Sequence, residues 1–431
     1  MRKNSQVKLI VMILLLSQFI MIPVYSQTPD SVQGPTPIWS DQTGNRDVLV
    51  QCSGDGKYVV SGSDTGILRK YDQTGKILWT FKREGQMVRS VAISGNGDYV
   101  GAVFLTPDAP SYYAGGEILY FNQTGGILWD YSRDYTVERI AISDDGNSIY
   151  ASASPNLYSF DRNGTLIAKN ESEGRTWVLT VARDGSYAVA GGTVTEKVHI
   201  AGSLTPANRI DAFEKDGTIP WNYSSRQNIN SIGISPDAGT IVSAARYNLY
   251  SFTRNGTLIW QLNRDPDITS VAVSEGGNYT VAGSQYYARL FNQTGSLVWQ
   301  YKYDGFVQDV GISDDEKHII AGMSRGVYVF SQEGKVLWNY PTPKAILHVS
   351  MANDGGYFAA GTADTVYFFN MQGDRAVSVE TESPTPNSSS VLNNTSLPGQ
   401  PTTPRSPLPT GSVIAAVSFI VFVVLLNRRD G

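Results

Sequence analysis

The 431-residue chain holds one cysteine and three histidines. A lone cysteine excludes an intramolecular disulfide framework and a thiolate metal cluster. His199, His318 and His348 are too far apart for metal-ligand spacing, so no metal is expected. Charge is also scarce. Charged residues make up 17% of the chain, and 34 Lys and Arg against 39 Asp and Glu give a formal charge of -5, which offers nucleic acid no basic surface. What abounds is glycine (42), tyrosine (24), phenylalanine (15) and tryptophan (8), the composition of short strands joined by tight turns. A hydrophobic fraction of 41% is enough for a large core and excludes general disorder.

The ends locate the chain. Met1-Arg2-Lys3 and Lys8 precede an apolar run from Leu9 to Ile22, and Val24-Tyr25-Ser26 has the small-residue pattern of a cleavage site, so residues 1–26 read as a signal peptide. Ser412 to Leu426 is uncharged and followed by Arg428 and Arg429. This is the pattern of a transmembrane anchor whose basic tail, 427–431, stays cytoplasmic. Fifteen helical residues rise only about 22 Å against roughly 30 Å of hydrocarbon, so the anchor must thin the bilayer or recruit flanking residues. Residues 376–411 carry seven of the 20 prolines among Ser, Thr and Asn, a composition that forms an extended stalk and no core.

Between the ends one pattern recurs: an alternating apolar segment, a Ser-x-Asp-Gly-like turn, a second segment ending in Ala-Gly, a third with Tyr and Phe, then Thr-Gly-x-Leu-x-Trp. The turns fall at Ser53, Ser94, Ser143, Ala182, Ser235, Ser274, Ser313 and Ala352. Seven tryptophans keep the same period, at Trp39, Trp79, Trp129, Trp221, Trp260, Trp299 and Trp338, and Ala168 fills the eighth slot. A unit of about 40 residues with four short alternating strands is a propeller blade. The last repeat lacks its Trp strand, whereas Ile38-Trp39 precedes the first repeat with no strands of its own. The expected fold is therefore an all-β, eight-bladed propeller of four-stranded antiparallel blades over 38–375, following a lead at 27–37. Its last blade is closed by the N-terminal strand, which removes the free sheet edges of an open ring. A seven-bladed ring with one degenerate repeat is the alternative.

The strand at Gln123-Thr124-Gly125-Gly126-Ile127-Leu128-Trp129 resembles the PQQ-like repeat of quinoprotein propellers, and the Ser-x-Asp-Gly-x-Tyr-x-Val-Ala-Gly half resembles WD-type repeats. Together they are similar to PQQ-like and WD-like propellers of archaeal and bacterial cell surfaces over about residues 38 to 370. In quinoproteins of this kind an adjacent Cys pair stacks against the cofactor while acidic and Asn side chains hold calcium. Here Cys52 is alone and aligns with the core positions Ile93, Ile142, Ile234, Val273 and Ile312, so the resemblance does not carry PQQ binding with it and no cofactor is expected. Asp-rich turns such as Ser143-Asp144-Asp145-Gly146-Asn147 read as turn chemistry, with calcium the lesser reading.

Both units longer than the basic repeat gain residues between their second and third strands, at Leu105 to Gly116 and Thr193 to Arg209. Insertions in repeat proteins gather on the binding face. The same loop class holds Tyr112, Tyr113, Arg246, Tyr247, Tyr286, Tyr287 and Arg325, residue types that give contact area with a polar handle. Trp177, aligned with Arg89, Thr269 and Gln308, is expected at the mouth of the central channel, as a plug or a stacking platform. Sequons at Asn122, Asn163, Asn170, Asn222, Asn255, Asn278, Asn292, Asn387, Asn393 and Asn394 are candidate glycosylation sites. The expectation is a non-enzymatic, membrane-anchored surface module binding an extracellular protein or polysaccharide. The alternative is a propeller enzyme, quinoprotein-like or a hydrolase or lyase, with its site in the channel.

Overall fold

The computed structural model describes residues 24–25, 34–43, 48–107, 115–133, 136–154, 156–171, 174–200, 203–263 and 267–371. The expected stalk, anchor and tail lie outside the described residues, as do most of the leader, Tyr112, Tyr113, Asn387, Asn393 and Asn394.

Every regular element among the described residues is a strand, and the strands form eight sheets in chain order. Blade 6 is representative: Ile268–Val273, Tyr279–Ser284, Tyr287–Asn292 and Leu297–Lys302 pair antiparallel from the axis outward. The two residues Val24–Tyr25 add in parallel to its outer strand. Blade 8 combines His348–Met351, Tyr357–Gly361 and Thr365–Asn370 with Trp39–Gln42. The closing register is antiparallel, with Trp39 opposite Phe368 and Gln42 opposite Thr365. The ring is thus eight-bladed and closed by the N-terminal strand. The second insertion is more regular than a loop. Tyr187–Ile200 and Ser203–Glu214 extend as one long hairpin, because Thr193, Val194, Thr195, Val198 and Ile200 are β-branched residues that a strand favours.

The repeated turn has a local cause. The Ser143 hydroxyl donates to Asp145 (2.6 Å) and accepts the Ser148 N–H (3.0 Å), and Asp145 also accepts the Asn147 N–H (2.8 Å). The same arrangement recurs at Ser53 with Asp55 and at Ser313 with Asp315. These carboxylates are therefore occupied by turn hydrogen bonds.

The tryptophans join the blades. In blade 2 the register shifts between Ile127 and Trp129, a bulge that turns the indole toward blade 3. There Trp129 Nε1 donates to the Arg162 carbonyl (3.0 Å). Trp39, Trp79, Trp221 and Trp299 reach Gln73, Gln123, Arg254 and Gln332 in the same way. The indole lies over the glycine of the receiving turn. Gly75 (φ 87°) has no room for a side chain, since a Cβ there would lie 2.6 Å from Trp39 Cγ.

The core lies between blades. Leu290 and Trp299 of blade 6 meet Val310, Ile319 and Phe330 of blade 7, and Cys52 is buried with Val366 and Phe368 where blade 8 meets blade 1. The smallest cluster, Tyr150 and Leu157 with Ala188, Ala190 and Phe213, lies between blades 3 and 4. At this seam Ala168 stands in the tryptophan slot, and the Asn170 amide donates to the Gly217 carbonyl in place of an indole.

Candidate functional site

The eight innermost strands, Val48–Cys52, Met87–Ile93, Val137–Ile142, Gly174–Val181, Ile229–Ile234, Ile268–Val273, Val307–Ile312 and His348–Met351, surround a central cavity of about 560 Å³. Each strand enters at the upper end, beside the blade connections and the loops between second and third strands. It leaves at the lower end, in the Ser-x-Asp-Gly turns. Positions in the repeat therefore translate into height along the channel.

Much of the polar lining at mid-height holds neighbouring blades together. Ser350 accepts the Cys52 N–H (3.0 Å), Gln51 accepts the Ile93 N–H (3.1 Å), Ser90 accepts the Ile140 N–H (3.2 Å), and Ser231 accepts the Val271 N–H (3.2 Å). Asp309 is the corresponding carboxylate in blade 7. It accepts from Ser270 Oγ (2.7 Å), the Val310 N–H (3.0 Å) and the Val349 N–H (3.0 Å), while burial raises its pKa against those bonds and against His348.

The lower end is bolted. Arg183, in the turn of blade 4, reaches across to blade 7 and donates from Nη2 to both carboxylate oxygens of Asp314 (2.8 and 2.7 Å). It also contacts Glu275 (3.3 Å) and Asp144 (3.3 Å). Burial raises the pKa of Asp144 and of Asp314, and the arginine opposes the shift in both. A chain of backbone bonds runs around this rim, from the Asp314 N–H to Asn353, from Asn353 to Gly54, from Asp55 to Gly95, from Gly95 to Asp144, from Asp144 to Arg183 and from Arg183 to Pro236. It stops there because proline has no N–H.

The upper end is open. Trp177 sits at this mouth with Asn230, Thr269, Gln308, Leu347 and His348. It is half-buried, and its Nε1 donates to the Ile229 carbonyl (2.7 Å), which pins the ring edge to blade 5. On the other flank of the Trp177 strand, toward blades 3 and 2, fully buried Glu138 accepts from Nε and Nη2 of Arg89 (3.1 and 3.0 Å) and from Nε (2.7 Å) and Nη2 of Arg175. Arg139 donates from Nη1 to the Arg89 carbonyl (3.3 Å) and, with Arg89, lines the cavity. The mouth therefore carries Arg89, Arg139 and Arg175 against Glu138, while the lower end carries Asp144, Asp314 and Glu275 against Arg183.

On the upper rim, Arg246 adopts a left-handed turn (φ 46°), stacks on Tyr247 (4.8 Å) and bonds Asp267 (3.2 Å). Backbone bonds connect the loops of blades 5, 6 and 7: Ile268 to Arg246, Gln285 to Asp267, Tyr303 to Tyr286, and Ser324 to Phe306. Tyr247, Tyr286 and Phe306 are exposed along this line, as is Arg325, while Tyr287 is half-buried under Arg289. The structure thus brings Arg246, Tyr247, Tyr286, Tyr287 and Arg325 to one face and puts Trp177 at the channel mouth on that face. Of the sequons, Asn163, Asn222, Asn255 and Asn278 are exposed, Asn122 and Asn292 are half-buried in turns, and Asn170 is engaged with Gly217.

Sequence reasoning missed Glu138, Asn230, Phe306 and the Arg183 bolt, although the repeat alignment contained a signal for three of them. Glu138 and Asn230 occupy the column of Arg89 and Trp177. Arg183 is the one cation in a turn column otherwise filled by Gly54, Gly95, Asp144, Pro236, Glu275, Asp314 and Asn353.

Comparison with known proteins agrees with this architecture. No curated protein sequence matches the chain. Among solved structures it is similar to the C-terminal WD40 domain of Sif2 (TM-score 0.64, 14% identity, covering 79% of this chain and 99% of that one). It is also similar to BamB from Moraxella catarrhalis (TM-score 0.56, 15% identity, 78% and 99%) and to the Dos1 propeller (TM-score 0.60, 12% identity, 79% and 96%). At these identities the likeness is one of fold. The family model described as outer membrane protein assembly factor BamB matches residues 36–183 and 245–403. Those matches span more than half of the chain, which belongs to this family of PQQ-like propellers.

Proposed function

We propose that the protein is an exported binding module, held at the cell surface by its C-terminal segment, that presents the upper face of the ring to an extracellular protein or polysaccharide. The carrying observation is the exposed line of Tyr247, Tyr286 and Phe306 with Arg246 and Arg325, on loops tied to one another by backbone bonds. A surface already fixed in place loses little conformational entropy on binding. Tyrosine and arginine are the residue types that carry binding energy at interfaces. Family membership favours a protein-interaction role, and the basic-ended residues 412–431 favour an anchor with a cytoplasmic tail. A non-enzymatic role fits a channel whose mid-height polar side chains are engaged in joining blades.

Two experiments test this reading. Protease added to intact cells should remove the propeller and leave the C-terminal tail protected; a fully resistant chain would refute the topology. Replacing Tyr247, Tyr286 and Phe306 together should abolish capture of the partner from cell-surface extract, and unchanged capture would remove the proposed face.

A further inference from the structure

The two ends of the channel differ: the lower end is crossed by Arg183, bound to Asp314, Glu275 and Asp144, whereas the upper mouth carries no such cross-link among the described residues. A cavity of about 560 Å³ lies within the size range of small-ligand pockets. Three features of the mouth narrow the ligand chemistry.

The first is an aromatic face. Trp177 is half-buried, and its N–H is committed to the Ile229 carbonyl, so the group left for a ligand is the ring. The second is its surroundings, which include the polar side chains Asn230, Gln308 and His348. A flat apolar surface ringed by hydrogen-bonding side chains complements a pyranose, which has a C–H face and a rim of hydroxyls. The third is charge. Glu138 is fully buried and receives two hydrogen bonds from Arg89 and two from Arg175, a costly arrangement unless the charges are well paired. Its geometric effect is to lock two guanidinium groups by their Nε and Nη2 edges. Arg89 is thus oriented in advance, and with Arg139 it lines the well. A preset guanidinium group is suited to a carboxylate. Acidic groups lie at the bolted end and at Asp309 beside His348, so within the mouth the side of Arg89 and Arg139 is the favoured place for an anion.

We propose that the upper mouth of the well, at Trp177, Arg89, Arg139, Asn230, Gln308 and His348, binds an acidic saccharide through a uronic-acid residue. The sugar face stacks on Trp177, the hydroxyls meet Gln308 and the Asn230 amide oxygen, whose Nδ2 donates to the Ile268 carbonyl (2.7 Å), and the carboxylate faces the arginines. This deepens the binding-module reading and rests on it.

The test uses the purified full-length chain in detergent, titrated calorimetrically with trigalacturonate and with the neutral trigalactose. The expected result is binding of the acidic trisaccharide at least tenfold tighter than the neutral one, weakening as salt is raised. Arg139→Gln should reduce acidic binding at least tenfold and remove the preference over trigalactose, with an unchanged melting temperature. Trp177→Ala should weaken both sugars. Gln308→Ala, a change at the half-exposed rim, serves if either variant fails to fold and should weaken the acidic sugar several-fold. The proposal is overturned if trigalacturonate does not bind at millimolar concentration, if both sugars bind equally, or if folded variants bind as wild type. Reconstitution by PQQ and calcium with displacement of the sugar would also overturn it. If the sugar fails to bind while the upper-rim aromatic variant still loses partner capture, only the well assignment falls and the binding-module reading stands.

Discussion

Ring closure depends on one tryptophan, and the lone cysteine reports on it. Trp39 stacks on Tyr71 (centroids 5.0 Å) and Phe368 (5.5 Å) and donates to the Gln73 carbonyl (3.2 Å), joining the last blade to the first. Cys52 is buried in the same cluster, where burial pushes its thiol pKa far up, so it is inert to alkylation until the seam opens. Replacing Trp39 by Ala removes a large half-buried side chain at a cost of about 2–4 kcal/mol. If opening and reclosing are fast relative to labelling, the rate follows the open population, so Cys52 should be alkylated roughly 30- to 700-fold faster than in wild type. Trp39→Phe retains the stacking and loses the hydrogen bond, worth about 1 kcal/mol, and should accelerate labelling roughly fivefold. Trp129→Ala removes equivalent contacts at the seam between blades 2 and 3, with Tyr120 at 5.2 Å and Phe160 at 5.3 Å. If seams open one at a time, it should leave Cys52 labelling much closer to wild type. The assay is maleimide labelling followed by intact mass. A Trp39→Ala protein labelled within threefold of wild type would refute closure by this strand.

Three further outcomes follow from the packing. Ala168→Trp should fill the vacant slot between blades 3 and 4 and raise stability by about 1–2 kcal/mol in calorimetry, provided Asn170 moves aside; destabilisation would mean that the seam has closed around alanine. Lys70 is buried, donates to the Gly97 carbonyl (2.5 Å), and is pushed by burial from 10.5 to about 8. The unfolded chain then binds more protons across that interval, so stability should rise between about pH 8 and 10.5 by up to about 3 kcal/mol, and Lys70→Met should flatten the rise. Finally, Arg183→Ala and Asp314→Ala should show a coupling of about 1–2 kcal/mol in a double-mutant cycle of denaturation free energies, and additivity would dismiss the bolt.

The fold was legible because each blade repeats the same local physics. The Ser-x-Asp-Gly turns, the repeated tryptophan and the glycine beneath each of the seven repeat indoles all leave marks at fixed spacing, and the orphan Trp39 at the start identified the closing strand. The candidate face was legible in part, because loop position follows from strand order: Tyr247 and Tyr286 are on the upper rim as expected. What escaped were contacts between blades far apart in sequence. Arg183 and Asp314 are 131 residues apart, and Arg175 and Arg89 meet Glu138 from 37 and 49 residues away. The repeat puts Arg89 and Glu138 at equivalent positions of neighbouring blades without saying that their side chains meet, and only the closed ring brings Arg183 to Asp314. The insertion at 193–209 differed for a local reason, its β-branched residues continuing the strands on either side instead of forming a loop.

The central claim is that the upper face is the binding face. Hydrogen–deuterium exchange on the full-length chain with its captured partner tests it most directly. Protection should appear in the loops carrying Arg246, Tyr247, Tyr286, Phe306 and Arg325, with the lower turns at Ser53, Ser143 and Ser313 unchanged. Protection confined to those lower turns, or to the outer strands, would contradict the account.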